Sequence, residues 1–122
     1  MMNKDEAVEH FLSLNPTLFD VLDRFEVRQT APEEGSEVEL IVEIWLRVLL
    51  DEEEDRRRLH LTFVGVRDLK FETQGLVNGL ELSVYSIKNY QWEGLRYEVR
   101  DEESAITLSF YCWHFEADLI TL

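Results

Sequence analysis

The stretch from Ser104 to Ile120 reads SAITLSFYCWHFEADLI, and its pattern predicts much of the fold. In an extended strand successive side chains point to opposite faces, so each face collects every second residue. Here both faces are apolar, and such a strand needs cover on both sides. We therefore predict a central strand of a β-sheet. One face carries Ile106, Leu108, Phe110 and Cys112, and the other carries Tyr111, Trp113 and Phe115.

Two further stretches predict a long hairpin. Residues 37–50 (EVELIVEIWLRVLL) place an apolar side chain at every even position, a period of two that is typical of a strand. Residues 57–72 alternate with the opposite parity, after the charged turn DEEED at 51–55. The residue numbers of paired positions in an antiparallel hairpin sum to a constant. A turn centred between Glu53 and Glu54 gives 107, an odd sum that joins the two apolar faces. Gly65 inside the second strand predicts a bulge or a close backbone approach.

The N-terminal region predicts one or two helices. Residues 3–14 form an approximate helical stripe, with Asn3 as N-cap and Glu6 three residues later in the manner of a capping box. This helix is predicted to end at Asn15, because a residue that precedes proline avoids the helical region. Residues 17–23 (TLFDVLD) are predicted as a second, short helix, with the start of a strand as the alternative.

The remaining predicted strands are shorter. Alternating side chains predict strands at residues 25–30, 80–87 and 95–100. The last of these is predicted to form a second hairpin with the opening stretch, whose paired residues sum to 205 if Arg100 pairs with Ala105. This odd sum again joins two apolar faces, so the turn position and the side-chain pattern agree in both hairpins.

These elements predict one α+β domain over residues 1–122, dominated by an antiparallel sheet. About six strands would form a curled sheet, a sandwich or a partly open barrel, with one or two N-terminal helices. The second face of the opening stretch has two interpretations. If the N-terminal helix covers it, it is architecture, and if it is bare, it is a candidate binding surface.

Composition excludes several classes of protein. The chain has 122 residues, enough to bury a core without disulfides or metal, and its single cysteine excludes an intramolecular disulfide. Its start lacks the pattern of a secretory signal, and no stretch approaches the roughly 18 apolar residues that span a bilayer. A soluble cytoplasmic protein is therefore expected. The net charge of −14 repels phosphate backbones and anionic membranes, so neither nucleic acid nor membrane is an expected partner.

The sequence offers little support for catalysis or metal binding. Cys112, His114 and His60 are soft-ligand types that could hold zinc or copper, but a buried core cysteine is the commoner arrangement. The carboxylates on strands are typical of a solvated sheet face rather than of a glycosidase pair, and the 51–55 turn lacks the glycine of an EF-hand. No P-loop, dinucleotide, zinc-protease or nucleophile-elbow motif occurs. We therefore predict no enzyme, no cofactor and no metal. The carboxylates considered are Glu39, Glu43, Glu98 and Glu116.

The remaining features favour protein binding. Acidic side chains cluster around the start of the 37–50 strand, and an aromatic loop lies at residues 88–94 (KNYQWEG). Exposed tyrosine and tryptophan are enriched at protein interfaces, and a carboxylate-rich surface suits a basic partner. A homodimer through a sheet edge or an aromatic face is a second hypothesis, and a small-ligand-binding, barrel-like protein or an enzyme of unknown substrate is the alternative. The candidate partner-binding residues are Glu33, Glu34, Glu37, Glu39, Tyr90 and Trp92.

Two segments resemble a known group of proteins. Residues 63–69 (FVGVRDL) and 110–116 (FYCWHFE) are similar to core patterns of small uncharacterised bacterial β-rich proteins, some of them immunity proteins of polymorphic toxin systems. The resemblance covers the C-terminal half and includes no site signature, so it assigns no functional residue. It implies a bacterial cytoplasmic protein that binds and blocks a partner. The acidity would then suit a basic target such as a nuclease toxin.

Overall fold

Two four-stranded antiparallel sheets form the body of the protein. The computed structural model describes residues 5–30, 38–48, 56–73, 80–87, 94–101 and 107–121. In chain order the elements are helix α1 (Glu6–Ser13), a 3₁₀ turn (Pro16–Leu18) and the strands β1 (Val21–Gln29), β2 (Leu40–Arg47), β3 (Arg57–Val64), β4 (Arg67–Glu72), β5 (Leu82–Ser86), β6 (Tyr97–Asp101), β7 (Thr107–Cys112) and β8 (His114–Thr121). Sheet A has the strand order β1-β2-β3-β8, and sheet B has the order β4-β7-β6-β5.

The two longest predicted strands both bend and cross from one sheet to the other. The predicted strand 57–72 divides at Gly65 and Val66 into β3 and β4, and the opening stretch divides at Trp113 into β7 and β8. Because β3 pairs with β8 and β4 pairs with β7, one long two-stranded ladder turns a corner and belongs to both sheets. Gly65, with a φ of 69°, marks this corner.

The prediction of one central strand buried on both faces is wrong. Strand β7 buries its even-numbered side chains and lies inside sheet B, whereas β8 buries odd-numbered side chains and is an edge of sheet A. The bend at Trp113 separates the two strands by one residue, and the buried parity changes there. Two one-sided strands in succession therefore resemble one two-sided strand in the sequence. The buried residues are Leu108, Phe110 and Cys112 in β7, and Phe115 and Ala117 in β8.

The inner faces of the sheets pack against each other through aromatic side chains. The ring centroids of Phe63 in β3 and Phe110 in β7 are 4.9 Å apart, and those of Phe25 in β1 and Phe71 in β4 are 4.5 Å apart. The described residues include no buried polar or charged residue, so hydrophobic burial holds the sheets together. Of the predicted architectures this is the sandwich, with eight strands in the described part of the chain instead of about six.

Both predicted hairpins bury the predicted faces but have a different register. Strands β2 and β3 pair with a sum of 105, as in Val42 with Phe63, instead of 107. Strands β6 and β7 pair with a sum of 209, as in Val99 with Phe110, instead of 205. An even shift leaves every side chain on its face. The apolar pattern thus predicts which face is buried, while the register differs by two or four residues.

Helix α1 begins two residues later than a cap at Asn3 would place it. Its N-cap is Asp5, whose Oδ1 accepts hydrogen bonds from the backbone N–H groups of Ala7 at 3.1 Å and Val8 at 3.2 Å. The predicted cap, Asn3, lies outside the described residues. Within the described ranges no helix, α1 included, is both long enough and apolar enough to cross a membrane.

Three contacts hold α1 on the sandwich. Phe11 is 1% exposed, and its ring meets that of Phe115 in β8 edge-on, with the centroids 6.3 Å apart. His10 Nε2 donates to the carbonyl oxygen of Ala117 at 2.9 Å. The hydroxyl group of Tyr97 in β6 donates to the N-cap carboxylate at 2.9 Å. The helix therefore covers Phe115, the last aromatic residue of the opening stretch.

The second predicted helix is reduced to a single 3₁₀ turn at Pro16–Leu18. Asn15 before it has a φ of 54°, in the left-handed region, which ends α1. Strand β1 then begins at Val21, four residues before the predicted strand. Phe19 and Val21 are both buried, so residues 17–23 bury side chains with the spacing of a strand.

Candidate functional site at the corner around Trp113

Trp113 lies at the corner where the ladder passes from sheet A to sheet B. Its backbone N–H donates to the carbonyl oxygen of Val64, at the end of β3, at 3.3 Å. Trp113 belongs to neither β7 nor β8, and 40% of the residue stays exposed. Large aromatic side chains that remain accessible are frequent anchors of protein interfaces. Trp113 is therefore the centre of the candidate site.

Gly65 provides the space for the indole ring of Trp113. Its φ of 69° lies in the left-handed region, which favours glycine. A Cβ atom on Gly65 would lie 2.0 Å from Cδ1 and 2.5 Å from Nε1 of the indole. The ring therefore lies directly against the backbone of the corner, and a larger residue at position 65 would displace it.

Glu39 holds the polar edge of the same ring. Trp113 Nε1 donates to Oε1 of Glu39 at 2.9 Å. The backbone N–H of Glu39 in turn donates to Oγ1 of Thr30, and the backbone N–H of Thr30 donates to the carbonyl oxygen of Glu39, both at 2.9 Å. A cavity of about 110 Å³ lies at this corner, and its lining includes Val38, Glu39, Arg67 and Trp113. The corner thus combines an ordered, accessible ring with a carboxylate.

The structure describes one of the six predicted partner-binding residues, Glu39. The other five lie in segments 31–37 and 88–93, outside the described residues. The next residues along the chain, Val38 and Gly94, both line the corner cavity. The five residues are Glu33, Glu34, Glu37, Tyr90 and Trp92.

The sequence pattern predicts Trp113 and Phe115 on one strand face, a candidate binding surface if bare, but it does not predict the corner that separates them. The available indication was Gly65, because a glycine inside a strand often marks a close approach of another group. The group that approaches Gly65 is the indole of Trp113, and only the pairing of β3 with β8 identifies it. In that pairing Val64 lies opposite His114, and the two residues are far apart in the chain.

A second tryptophan, Trp45, lies on the outer face of sheet A and is covered by its neighbours. The Arg24 guanidinium lies 4.9 Å from the centroid of the Trp45 ring. The His60 ring stacks on the same indole, with the centroids 4.6 Å apart and the planes 13° apart. Because Arg24, Trp45 and His60 are cross-strand neighbours, they form one row across β1, β2 and β3. This ring is therefore contacted by the protein's own side chains.

Ion pairs join the charged residues of sheet A to each other. Glu43 Oε1 accepts a hydrogen bond from Arg28 at 3.1 Å, and its Oε2 lies 3.4 Å from Nε2 of His60. Desolvation would raise the pKa of Glu43, but the hydrogen bonds from Arg28 and His60 outweigh it and hold the pKa below its ordinary value. Asp23 accepts from Arg58 at 3.1 Å in the same way. Four arginines of this sheet have acidic partners within it: Arg24, Arg28, Arg47 and Arg58.

Helix α1 and strand β8 carry acids and no lysine or arginine. A cavity of about 380 Å³ lies where they meet, lined in part by His10, Glu116 and Asp118. All four acids of the two elements are exposed, so their charge faces the solvent. The acids are Glu6, Glu9, Glu116 and Asp118, and the exposed large apolar residues of the two elements are Leu12 and Leu119.

The outer face of sheet B is of mixed charge. A cavity of about 400 Å³ is lined by Asp68, Glu98 and Tyr111 together with Lys70. Asp68 has a φ of 54° and sits where the pairing of β4 with β7 shifts register, as at a β-bulge. Desolvation raises the pKa of Tyr111, and the charge of Glu98 raises it further. Acids and bases lie side by side here, so neither sign dominates.

The metal-ligand and carboxylate sets considered from the sequence do not converge. Cys112 is buried in the core, where desolvation raises the pKa of its thiol to about 12, whereas His60 and His114 are partly exposed. Cys112 and His114 do not share a face, although they stand two residues apart, because the chain changes sheet between them. Among the residues with described positions, no group of three His, Cys, Asp or Glu side chains could hold a metal ion. Glu43 and Glu98 lie on different sheets and do not form a pair.

The profile of one protein family, described as immunity protein PIM8, matches residues 3–118. The match runs from the start of α1 into β8 and includes the corner with Gly65 and Trp113. No curated protein and no solved structure matches the chain. The family agrees with the resemblance to immunity proteins that two core segments carry. The chain belongs to the immunity protein PIM8 family.

Proposed function

We propose that this protein is a non-enzymatic immunity protein that binds and blocks a protein toxin with a basic surface. Membership of the PIM8 family supports a role as an inhibitor of a toxin. The net charge of −14 supports a basic partner, because opposite potentials accelerate encounter and select against like-charged partners. The protein would act in the bacterial cytoplasm, as one domain of residues 1–122 and without a cofactor.

The distribution of charge is the observation that carries the basic-partner proposal. In strands β1 to β3 of sheet A, arginines pair with acids of the same strands, as in the contact of Arg28 with Glu43 at 3.1 Å. These charges therefore compensate each other. Helix α1 and strand β8 expose four acids and contain no lysine or arginine. The exposed Leu12 and Leu119 add apolar surface on the same two elements. A basic partner with some apolar surface is complementary to this side of the molecule.

The residues predicted from the sequence extend the proposed interface to the corner. Glu39 lies beside the exposed Trp113, and Val38 and Gly94 line the same cavity. The sequence around Glu39 is rich in acids, and residues 88–93 include Tyr90 and Trp92, which is the composition of an interface that binds a basic protein. We therefore include in the toxin interface Glu33, Glu34, Glu37, Glu39, Tyr90 and Trp92.

Co-purification with the products of the neighbouring genes, as candidate toxins, tests the function. We expect a stable complex in which the toxin is inactive. Binding should weaken by about tenfold or more from low salt to ~0.5 M salt, because salt screens interactions between exposed charges. Failure to form a complex would overturn the immunity function. A complex whose affinity salt leaves unchanged would overturn only the basic-partner proposal.

Two double variants with equal charge changes separate the α1–β8 surface from the net charge. E9Q with E116Q removes two exposed acids from α1 and β8, and E72Q with E81Q removes two exposed acids from the sheet B side. We expect about a tenfold loss of toxin affinity for the first pair and less than twofold for the second. Equal losses would assign the effect to the net charge and not to this surface.

Neutralisation of the acidic segment tests the residues predicted from the sequence. The quadruple variant changes Glu33, Glu34, Glu37 and Glu39 to glutamine. We expect it to weaken toxin binding by about tenfold or more and to reduce the salt dependence, because fewer charges face the toxin. Unchanged affinity and salt dependence would remove this segment from the interface.

The alternative functions have less support in the described residues. The buried interior is apolar, and the two larger cavities are lined mainly by exposed or half-buried residues at the surface. A homodimer through a sheet edge stays a prediction, which sedimentation at micromolar concentration would decide.

A further inference from the structure

We propose that Trp113 is the aromatic anchor of the toxin interface, and that a cationic side chain of the toxin, arginine or lysine, binds against its indole ring beside Glu39. This inference rests on the proposed function and names a specific contact within it. It concerns only the described corner residues.

The indole of Trp113 is not one of the side chains buried in the core. The neighbouring residues Cys112 and Phe115 are 0% and 2% exposed, whereas Trp113 is 40% exposed. A buried ring stabilises the fold by removing apolar surface from water, and an exposed ring keeps part of that surface available. In the free protein this surface is therefore open to a partner.

The ring is ordered before any partner binds. One edge lies against the backbone of Gly65, where no Cβ atom would fit. Its Nε1 donates to Glu39, whose own backbone is bonded to Thr30. A side chain that is already held in place loses less conformational entropy on binding, which makes it a better anchor. Glu39 is thus a positioning residue for Trp113.

The surroundings of the exposed ring favour a cationic group. Because the indole N–H is already bonded to Glu39, the ring offers a partner its carbon atoms and not a free donor. Cations bind to the faces of indole rings, and a neighbouring carboxylate adds an ion pair. Val38 is 50% exposed on the same cavity and can contact the aliphatic stem of an arginine or lysine. Arg67 also lines the cavity, so the cation is expected to approach nearer to Glu39 than to Arg67.

The surroundings of Trp45 show the same contact made within the protein. The guanidinium of Arg24 lies 4.9 Å from the centroid of the Trp45 ring and forms an ion pair with Glu26. A cation over an indole beside a carboxylate is therefore an arrangement that this fold already contains. Among the described residues, no guanidinium or ammonium group is placed in this way over Trp113, and the ring that lies near its indole is the His114 imidazole, with the centroids 5.3 Å apart and the planes 36° apart. We infer that the toxin supplies the cation.

The test uses titration calorimetry to measure the affinity for the toxin domain that co-purifies with the protein. W113A is expected to weaken binding by about 30-fold or more, as hot-spot tryptophans do. E39Q keeps an acceptor for Nε1 but loses the negative charge, so we expect a loss of about three- to tenfold and a smaller salt dependence. W45F is the matched control on the outer face of sheet A, and it is expected to change affinity less than twofold. Thermal unfolding of each variant verifies that it folds.

Each outcome bears on the inference. If the wild-type protein binds and W113A binds within twofold of it, the anchor is not Trp113, while the proposed function stands. If W113A loses affinity and E39Q does not, the ring binds an uncharged group and the cation is excluded. If the free protein sediments as a dimer and W113A as a monomer, the corner binds a second copy of this chain instead of a toxin. If the wild-type protein binds no toxin, the inference fails together with the proposed function.

Discussion

Trp113 and Phe115 stand two residues apart in the chain, and yet their environments are opposite. Phe115 is 2% exposed, with Phe11 of α1 edge-on at 6.3 Å and Tyr97 edge-on at 4.8 Å between ring centroids. Trp113 is 40% exposed and lies on Gly65 at the corner. The sequence pattern placed both rings on one strand face. One residue of this predicted face, Phe115, is therefore a core residue covered by a helix, while Trp113 is accessible to a partner.

The bend between the two sheets is the physical origin of the difference. Phe115 follows the bend and belongs to the inner face of sheet A, where α1 can cover it. Trp113 occupies the bend itself, where a strand has no inner or outer face. Removal of the two rings should therefore have different consequences for folding and for binding.

The largest expected effect on stability comes from F115A. Deleting a buried aromatic ring should lower the free energy of unfolding by about 3–5 kcal/mol, because it removes apolar contacts and leaves a cavity. W113A should lower it by less, about 1–2 kcal/mol, since its ring is partly exposed and loses its packing on the Gly65 backbone together with one hydrogen bond to Glu39. Urea unfolding monitored by circular dichroism measures both. Equal losses would mean that Trp113 is a core residue, and the comparison would fail.

The fold was predictable from the sequence where local pattern decides, and not where distant pairing decides. The alternation in residues 37–50 and 57–72 predicts the buried faces of β2 and β3, because the period of two is a local property. The corner depends on the pairing of β3 with β8, which no local pattern reveals. The contact between Gly65 and Trp113 was not predicted for the same reason, because the two residues meet only through that pairing.

The N-cap of α1 shows the same limit at a single residue. Asn3 and Asp5 are both favourable N-cap residues, so the local sequence does not choose between them. Asp5 also accepts a hydrogen bond from the hydroxyl of Tyr97, which is 92 residues away in the chain. This long-range contact is available to the cap at Asp5, and only the folded sandwich makes it visible.

An intermediate effect on stability is expected from G65A, which tests whether the indole of Trp113 lies against the backbone of Gly65. The substitution combines the cost of a positive φ with a Cβ atom 2.0 Å from the indole, so we expect a loss of about 2–3 kcal/mol in the free energy of unfolding. The indole should shift outward, and its fluorescence should move to longer wavelength. Urea unfolding and emission spectra measure the two changes.

G94A is the matched control for that substitution. Gly94 also has a positive φ, 81°, but a Cβ atom there would meet nothing within 4 Å. It should therefore show only the backbone strain, about 1 kcal/mol, and no change in the emission of Trp113. If both variants lose the same stability and leave the emission unchanged, then contact with Trp113 is not what requires glycine at position 65.

The smallest expected effect is on the covered side of the comparison, in Y97F. This variant removes the hydrogen bond from Tyr97 to Asp5 and should cost ~1 kcal/mol at neutral pH. Burial, and then the Asp5 carboxylate, raise the pKa of Tyr97 to about 12 from its ordinary value of 10.0. Because the folded state favours the neutral phenol, its contribution is complete below pH 10 and is lost as the pH rises towards 12.

Measured unfolding free energies of the wild-type protein and Y97F should therefore converge between pH 10 and 12. D5N separates the charge of the cap from its hydrogen bonds, because asparagine caps a helix about as well as aspartate does. In D5N the pKa of Tyr97 should fall, which the ultraviolet absorbance of tyrosinate measures, while α1 stays docked on β8. A constant difference between the wild-type protein and Y97F across this range would show that Asp5 and Tyr97 do not interact. In that case only the packing of Phe11 and the hydrogen bond from His10 would hold α1 over Phe115.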